Sequence, residues 1–237
     1  MKAVVLAGGK GTRLAPYTKI LPKPLMPIDD MPILEILLRQ MKRAGIEEVI
    51  LTVGHLSELF RAFFQNGERF GLNIQYSFEK EPLGTAGPLS LINYLDETFL
   101  VTNGDVLTNL DIQTLIDFHH QSGGIATIAA FERRVKIDLG VIHYNGAHEV
   151  VGYYEKPSYN FSVSMGIYVF EPGVLGYIPY NRYLDFPNLV KKLLEAGERV
   201  ISYPFDGYWM DLGREDDYEQ AVKDFSTLKS QILGEGV

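Results

Sequence analysis

With 237 residues, 46% hydrophobic and 22% charged, the chain can bury the core of one large domain, which excludes a disordered polypeptide. A formal net charge of −8 and a pI near 5.2 leave no basic field to gather polynucleotide phosphates, although a local cationic pocket is still allowed. The absence of cysteine excludes disulfides, thiolate nucleophiles and thiolate metal sites. The first apolar run is too short for a secretion signal, and no run approaches the roughly 20 apolar residues of a membrane span, so a cytoplasmic chain without membrane or nucleic-acid partners is expected.

In chain order, Ala3 to Ala7 is a five-residue apolar run and predicts a buried first strand. Met31 to Ala44 sets Ile33, Leu34, Leu37, Leu38 and Met41 against Arg39, Lys42 and Arg43, an amphipathic helix closed by Gly45. Val49 to Val53 predicts a second strand covered on both faces, and Ser57 is placed as the cap of a helix through Phe64. Leu72 to Phe78 reads as a strand, Gly87 to Leu95 as a helix, Phe99 to Thr102 as a strand, and Asp111 to Gln121 as a helix with Asp111 as N-cap. This alternation predicts an α/β fold with a Rossmann-like, doubly wound, mainly parallel sheet. After Gly123-Gly124 the texture changes to strand-like pieces at Ile125 to Phe131, Gly140 to Tyr144, Glu149 to Tyr154 and Val163 to Phe170, which predict a smaller antiparallel lobe. Helices at Leu184 to Ala196 and Glu215 to Leu228 close the chain. One domain over residues 1–237 is expected, in two parts that meet at about residue 123.

The most informative stretch is Leu6-Ala7-Gly8-Gly9-Lys10-Gly11-Thr12-Arg13-Leu14, followed by Pro22-Lys23-Pro24-Leu25. Glycines let backbone N–H groups approach an anion, and Arg13 and Lys23 supply the positive charge a polyphosphate needs. The loop is neither a Walker loop, which needs Lys followed by Ser or Thr, nor a dinucleotide loop, which needs glycine where Leu14 stands. In open α/β sheets ligands bind at the carboxyl ends of strands. There Asn103-Gly104-Asp105 reads either as a plain turn or as a carboxylate that holds a hard cation against phosphate. Asp211, in Tyr208-Trp209-Met210-Asp211-Leu212-Gly213, reads either as a helix cap or as a second metal acid. Two carboxylates, two cations and a glycine loop together favour magnesium-assisted nucleotidyl transfer. Lys10 and the pair His119-His120 are read as solvated surface, and the aromatics Tyr153, Tyr154, Tyr159, Phe161, Tyr168 and Phe170 as core and rim of the second lobe.

These motifs resemble the signatures of the sugar-1-phosphate nucleotidyltransferases. The loop with Pro22-Lys23-Pro24-Leu25 is similar to the family's first motif, and Glu79-Lys80-Glu81-Pro82-Leu83-Gly84-Thr85-Ala86-Gly87 looks like its second nucleotide segment. Asn103-Gly104-Asp105, Glu155-Lys156-Pro157 and Tyr208 to Gly213 resemble its metal, sugar-phosphate and second metal motifs. The resemblance implies that Arg13 and Lys23 are catalytic, and that Leu6, Ala7, Gly8, Gly9, Gly11 and Thr12 contact nucleotide. It extends that role to Glu81, Leu83, Gly84, Thr85, Asn103 and Gly104. It further implies that Gly140, Glu155, Lys156 and Gly166 bind the sugar phosphate and that Asp105 and Asp211 share Mg2+. The implied reaction joins a nucleoside triphosphate (NTP) and a sugar 1-phosphate into a nucleotide sugar and pyrophosphate. The second segment leans towards the mannose-1-phosphate guanylyltransferase branch and its heptose-phosphate relatives. Transfer from dTTP or UTP to glucose 1-phosphate shares every residue named, a silent regulatory subunit is the alternative of another class, and a homo-oligomer is left open.

Overall fold

The computed structural model describes residues 1–9 and 11–234, so Lys10 and its expected surface position lie outside the described residues. The strands, in chain order, begin with β1 (Lys2–Leu6), β2 (Pro27–Ile28), β3 (Met31–Pro32), β4 (Glu48–Val53) and β5 (Asn73–Phe78). They continue with β6 (Phe99–Asn103), β7 (Val106–Thr108), β8 (Ala126–Lys136), β9 (Gly140–Tyr144) and β10 (Val150–Glu155). The last three are β11 (Ser158–Phe170), β12 (Val200–Phe205) and β13 (Trp209–Asp211). The helices are α1 (Ile33–Arg43), α2 (Ser57–Phe64), α3 (Ile112–Ser122), α4 (Phe186–Glu195) and α5 (Glu215–Leu233). Seven strands form one sheet in the order β12-β8-β11-β6-β1-β4-β5, parallel throughout except that β11 runs against both its neighbours.

Apolar residues point to both faces of this sheet because both are covered. On β1, Ala3 and Val5 belong to the layer beneath α1, α2 and α3, while Val4 points into the opposite layer with Phe99, Phe170, Phe186 and Leu189. Strand β4 divides in the same way, Val49, Leu51 and Val53 against Ile50. A third cluster joins Ile33 and Ile36 of α1 to Leu107, Ala221 and Phe225, and it anchors α5 beside the glycine loop. Each fully buried large side chain of this kind contributes about 1.5–3 kcal/mol.

Several expectations meet a different outcome. Gly87 to Leu95 is not an α-helix; it is a single 3-10 segment, Gly87–Leu91, whose start is tied to the Leu184 carbonyl by the Ala86 and Gly87 N–H groups. Ser57 is the first helical residue of α2 and caps nothing, since the capping position is taken by Leu56 at φ 55° without a side-chain bond. Asp111 does cap α3, accepting from the N–H groups of Gln113 and Thr114. Strand β12 is unanticipated because Pro204 interrupts its pattern, yet β12 is an edge strand, where a missing N–H is harmless. The inner halves of β8 and β11 belong to the main sheet; only their outer halves and the separate two-stranded β9–β10 hairpin project beyond it. Accordingly Tyr168 and Phe170 are core, whereas Tyr153, Tyr154, Tyr159 and Phe161 are exposed on the projecting arm.

His119 corrects a surface expectation. It is 1% exposed, with Nδ1 2.8 Å from Thr127 Oγ1 and Nε2 3.0 Å from Glu171 Oε1. Glu171 also accepts from Thr98 Oγ1, so the imidazole joins α3 to the sheet. Burial pushes the His119 pKa down, and the Glu171 contact works against that shift. His120, its neighbour, remains exposed. Among the described residues, no helix is long and apolar enough to cross a membrane.

Candidate active site

The carboxyl ends of the parallel strands β1, β4, β5 and β6 open onto one cleft, as the crossover geometry requires. From β1 the chain turns through Gly8 and Gly9 into the short 3-10 turn Thr12–Leu14, entered by Gly11 at φ 59°. The Gly11 carbonyl accepts from Leu14 N–H and from Thr18 Oγ1, which fixes the loop. A cavity of about 250 Å³ lies over it, lined by Leu6, Ala7, Gly9, Gly11, Thr12 and Arg13, and closed by Lys23, Pro24, Asp105 and Gly213.

Lys23 is the electrostatic centre of this cavity. It is 6% exposed; its Nζ donates to Asp105 Oδ2 at 2.5 Å and lies 3.6 Å from Asp211 Oδ1. Asp105 is brought there by the Gly104 turn at the end of β6, whose N–H donates to the Leu6 carbonyl. Asp211 arrives on β13, which pairs antiparallel with β7, Asp211 opposite Val106. A Cβ at Gly213 would lie 3.2 Å from Arg13 Nη1 and 3.3 Å from Asp211 Oδ2, so the exposed Arg13 guanidinium stands beside the second acid. Asp105 and Asp211 therefore converge on one cationic point. That donor set suits a hard ion such as magnesium, which takes one or two carboxylates and completes its shell with phosphate oxygens and water. Among the described residues, no group of three or more acids and histidines forms a self-sufficient metal cage.

A second cavity, about 390 Å³, adjoins the first across Leu6, Gly9 and Asp105, and Glu79, Pro82, Gly84, Thr85, Asn103 and Tyr183 line it. Glu79, at the end of β5, is half-buried, and burial raises its pKa. Its Oε2 accepts from Leu83 N–H at 3.0 Å. Its Oε1 lies 2.7 Å from where a Cβ at Gly8 would stand, so the carboxylate packs directly against this glycine and would have to shift for any larger residue. Leu83 itself does not reach the cavity: it is buried, and its N–H and C=O are engaged by Glu79 and by Leu184 N–H. Thr85 N–H and Oγ1 both contact Asp185, so this residue braces the loop against α4. Glu81 lines an adjoining space of about 540 Å³, beside His55 and Lys80. Glu79 is the residue the sequence reading passed over, although its position at the end of a predicted strand marked it.

The remaining expected residues divide. Gly166, at φ 75°, packs against the Asn103 amide beside the second cavity. Gly140, Glu155 and Lys156 are not brought to either cavity. Gly140 pairs with Glu155 on the β9–β10 hairpin, Tyr153 OH donates to Glu155, and Lys156 is held at φ 45° just before Pro157. A non-glycine residue with such a φ is strained, and strain of this kind gathers at functional sites.

The nucleotidyl transferase family matches residues 2–227, and the chain belongs to it. The relatives it resembles carry the names of sugar-1-phosphate nucleotidyltransferases, the group its motifs resemble. The UTP–glucose-1-phosphate uridylyltransferase of Synechocystis sp. is 36% identical over 94% of this chain and 63% of its own length. The mannose-1-phosphate guanylyltransferase of Mycobacterium tuberculosis is 35% identical over 94% and 64%. The mannose-1-phosphate guanylyltransferase catalytic subunit beta of Danio rerio is 35% identical over 92% and 62%. The chain thus spans a little under two thirds of these relatives. A Bacillus anthracis protein solved with a sucrose superimposes with TM-score 0.77 at 22% identity, covering 100% of this chain and 97% of that one. HddC from Yersinia pseudotuberculosis gives 0.73 at 23%, covering 94% and 99%. At that identity the two structures establish the fold alone.

Proposed function

We propose that this chain transfers a guanylyl group from GTP to an aldose 1-phosphate, with mannose 1-phosphate the simplest acceptor, and releases pyrophosphate. The observation that carries the reading is the buried Lys23 ammonium held between Asp105 and Asp211 under a glycine loop, with Arg13 beside it. An oxygen of the sugar 1-phosphate attacks the α-phosphorus; a new P–O bond forms as the bond to the β-phosphate breaks, and pyrophosphate leaves with the electron pair. A phosphate monoester, whose second pKa is near 6, is already ionised, so the reaction needs no general base. Its obstacle is repulsion between anions. Lys23 neutralises the α-phosphate region, Arg13 the departing pyrophosphate, and backbone N–H groups of Gly9 and Gly11 orient the triphosphate, so catalysis is positioning and electrostatic stabilisation. Magnesium held by Asp105 and Asp211 would supply further charge neutralisation and polarisation of phosphate oxygens. Lys156 on the arm is assigned to the sugar phosphate, with Gly140, Glu155 and Gly166 around the ring.

Glu79 supports guanine. Guanine offers N1–H and its exocyclic amino group side by side, two donors that one carboxylate accepts together; uracil and thymine offer a single N–H flanked by oxygens that a carboxylate repels. A UTP-dependent reading has support in the Synechocystis relative. Pyrophosphate release from five nucleoside triphosphates against several sugar 1-phosphates separates the two. GTP should exceed UTP and dTTP by at least roughly tenfold in kcat/KM, the factor carried by about 1.4 kcal/mol. Glu79→Gln should narrow that margin. Preferred formation of a UDP- or dTDP-sugar overturns the guanylyl reading.

A further inference from the structure

A cavity of about 330 Å³ adjoins the phosphate cavity, the two sharing Arg13 and Gly213, and three arginines line it: Arg13, Arg133 and Arg214. Phe131 and Trp209 are its apolar surface, with ring centroids 5.5 Å apart. The indole is locked, because its Nε1 donates to the Met165 carbonyl at 3.0 Å. Arg133 lies two residues beyond Phe131 on β8 and therefore on the same face, whereas Glu132 faces the other way and accepts from Asn160. Asp211 and Asp217 also line this cavity, yet among the described residues none of the three guanidinium groups lies within 4.0 Å of a carboxylate oxygen. Two carboxylates against three guanidiniums leave a cationic chamber, and Asp211 is already turned towards Lys23.

The transferred nucleotide and the 1-phosphate are served by Arg13, Lys23 and Lys156 in the reading above, which leaves Arg133 and Arg214 without a task. We propose that this chamber receives an anionic substituent, a carboxylate or a second phosphate, carried by the acceptor sugar in addition to its 1-phosphate. Arg133 is its specificity-determining contact. The sugar ring lies against the Trp209 indole, and its charged end meets the guanidiniums, which accept carboxylate and phosphate geometry as a two-pronged fork. This inference rests on the transferase reading but not on the identity of the base.

The test uses the whole chain with magnesium, the nucleoside triphosphate and ring type that the panel above selects, and three acceptors of that ring: the neutral aldose 1-phosphate, its uronic acid 1-phosphate and its 1,6-bisphosphate. The quantity read is the ratio of kcat/KM for each charged acceptor to that for the neutral one. A ratio above roughly ten is expected, and Arg133→Ala should lower it about 10- to 100-fold, as the loss of one hydrogen bond to a charged group implies. Arg133→Lys should retain part of the ratio, and an unchanged melting curve would show that each variant folds. A ratio near or below one in the parent overturns the proposal. So does a loss on Arg133→Ala that is equal for all acceptors or that appears in KM for the triphosphate, since either assigns Arg133 to the polyphosphate. Pyrophosphate from no acceptor with any of the five triphosphates overturns the transferase reading, and this one with it.

Discussion

Two lysines that belong to comparable motifs live in opposite surroundings. Lys23 is buried at the carboxyl edge of the seven-stranded sheet and pinned between Asp105 and Asp211; Lys156 is exposed at the end of β10, beyond the sheet, with no carboxylate partner among the described residues. The cleft around Lys23 is built by long-range packing, so its groups are positioned before any ligand arrives. The arm joins the outer halves of β8 and β11 to the two-stranded β9–β10 hairpin, which exposes Ile142, Tyr144, Val150 and Tyr153, and a hairpin of that kind is marginally stable on its own. Its motif is held by the pairing of Gly140 with Glu155, by the Tyr153 hydroxyl on Glu155 and by the Ile137 N–H, which donates to the Pro157 carbonyl. The same fold thus separates a cleft whose charged groups are fixed by the main sheet from a segment that the main sheet does not support.

The comparison is sharpened most by the two cleft cations. Arg13→Ala and Lys23→Ala should each lower kcat/KM by about 10²–10³, as removal of one transition-state donor does. Thermal melting separates them further: Lys23→Ala leaves Asp105 and Asp211 facing one another and should lower Tm, whereas loss of the exposed Arg13 should leave Tm nearly unchanged. Wild-type turnover in either variant would remove that residue from the phosphate site.

Next in size is the acid pair. Asp105→Asn and Asp211→Asn should each weaken magnesium activation in kinetic titrations, and the double variant should be little worse than the worse single one, because both acids serve one ion. Additive losses would argue for separate roles.

On the arm, Lys156→Ala should raise KM for the sugar 1-phosphate by roughly tenfold, the effect of one charge-assisted contact of about 1.4 kcal/mol, with KM for the triphosphate unmoved. A parallel rise in both constants would break the division between cleft and arm.

The smallest effect concerns His119. Its folded pKa lies below the unfolded value, so as pH falls below about 6.5 the unfolded chain takes up a proton that the folded chain refuses, and stability declines. Above that pH the two states bind equally and nothing is lost. Melting curves from pH 7.5 to 5.5 should show this acid-side decline, and it should shrink in His119→Gln.

Much of this protein follows from local chemistry that a linear reading can follow. Uninterrupted apolar runs at β1, β4 and β6 require cover on both faces, Asp111 caps α3 through its own side chain, and the glycines after β1 announce a backbone that must approach an anion. The acids at 105 and 211 could be read singly as a turn and a helix cap, and only their combination with the glycine loop and its two cations singled them out. What only the tertiary structure decided depends on groups far apart in the chain. Lys23 reaches Asp105 across 82 positions, His119 is buried because Glu171 and Thr127 come to meet it, and Leu83 is withdrawn from the cavity because Glu79 and Leu184 consume its backbone. Pro204 is tolerated in β12 because that strand has an open edge, and Arg133 acquires a chamber only because β8 passes beside Trp209 and Arg214. Periodicity and propensity act within a few residues, whereas charge pairing, edge position and cavity lining are properties of the assembled sheet.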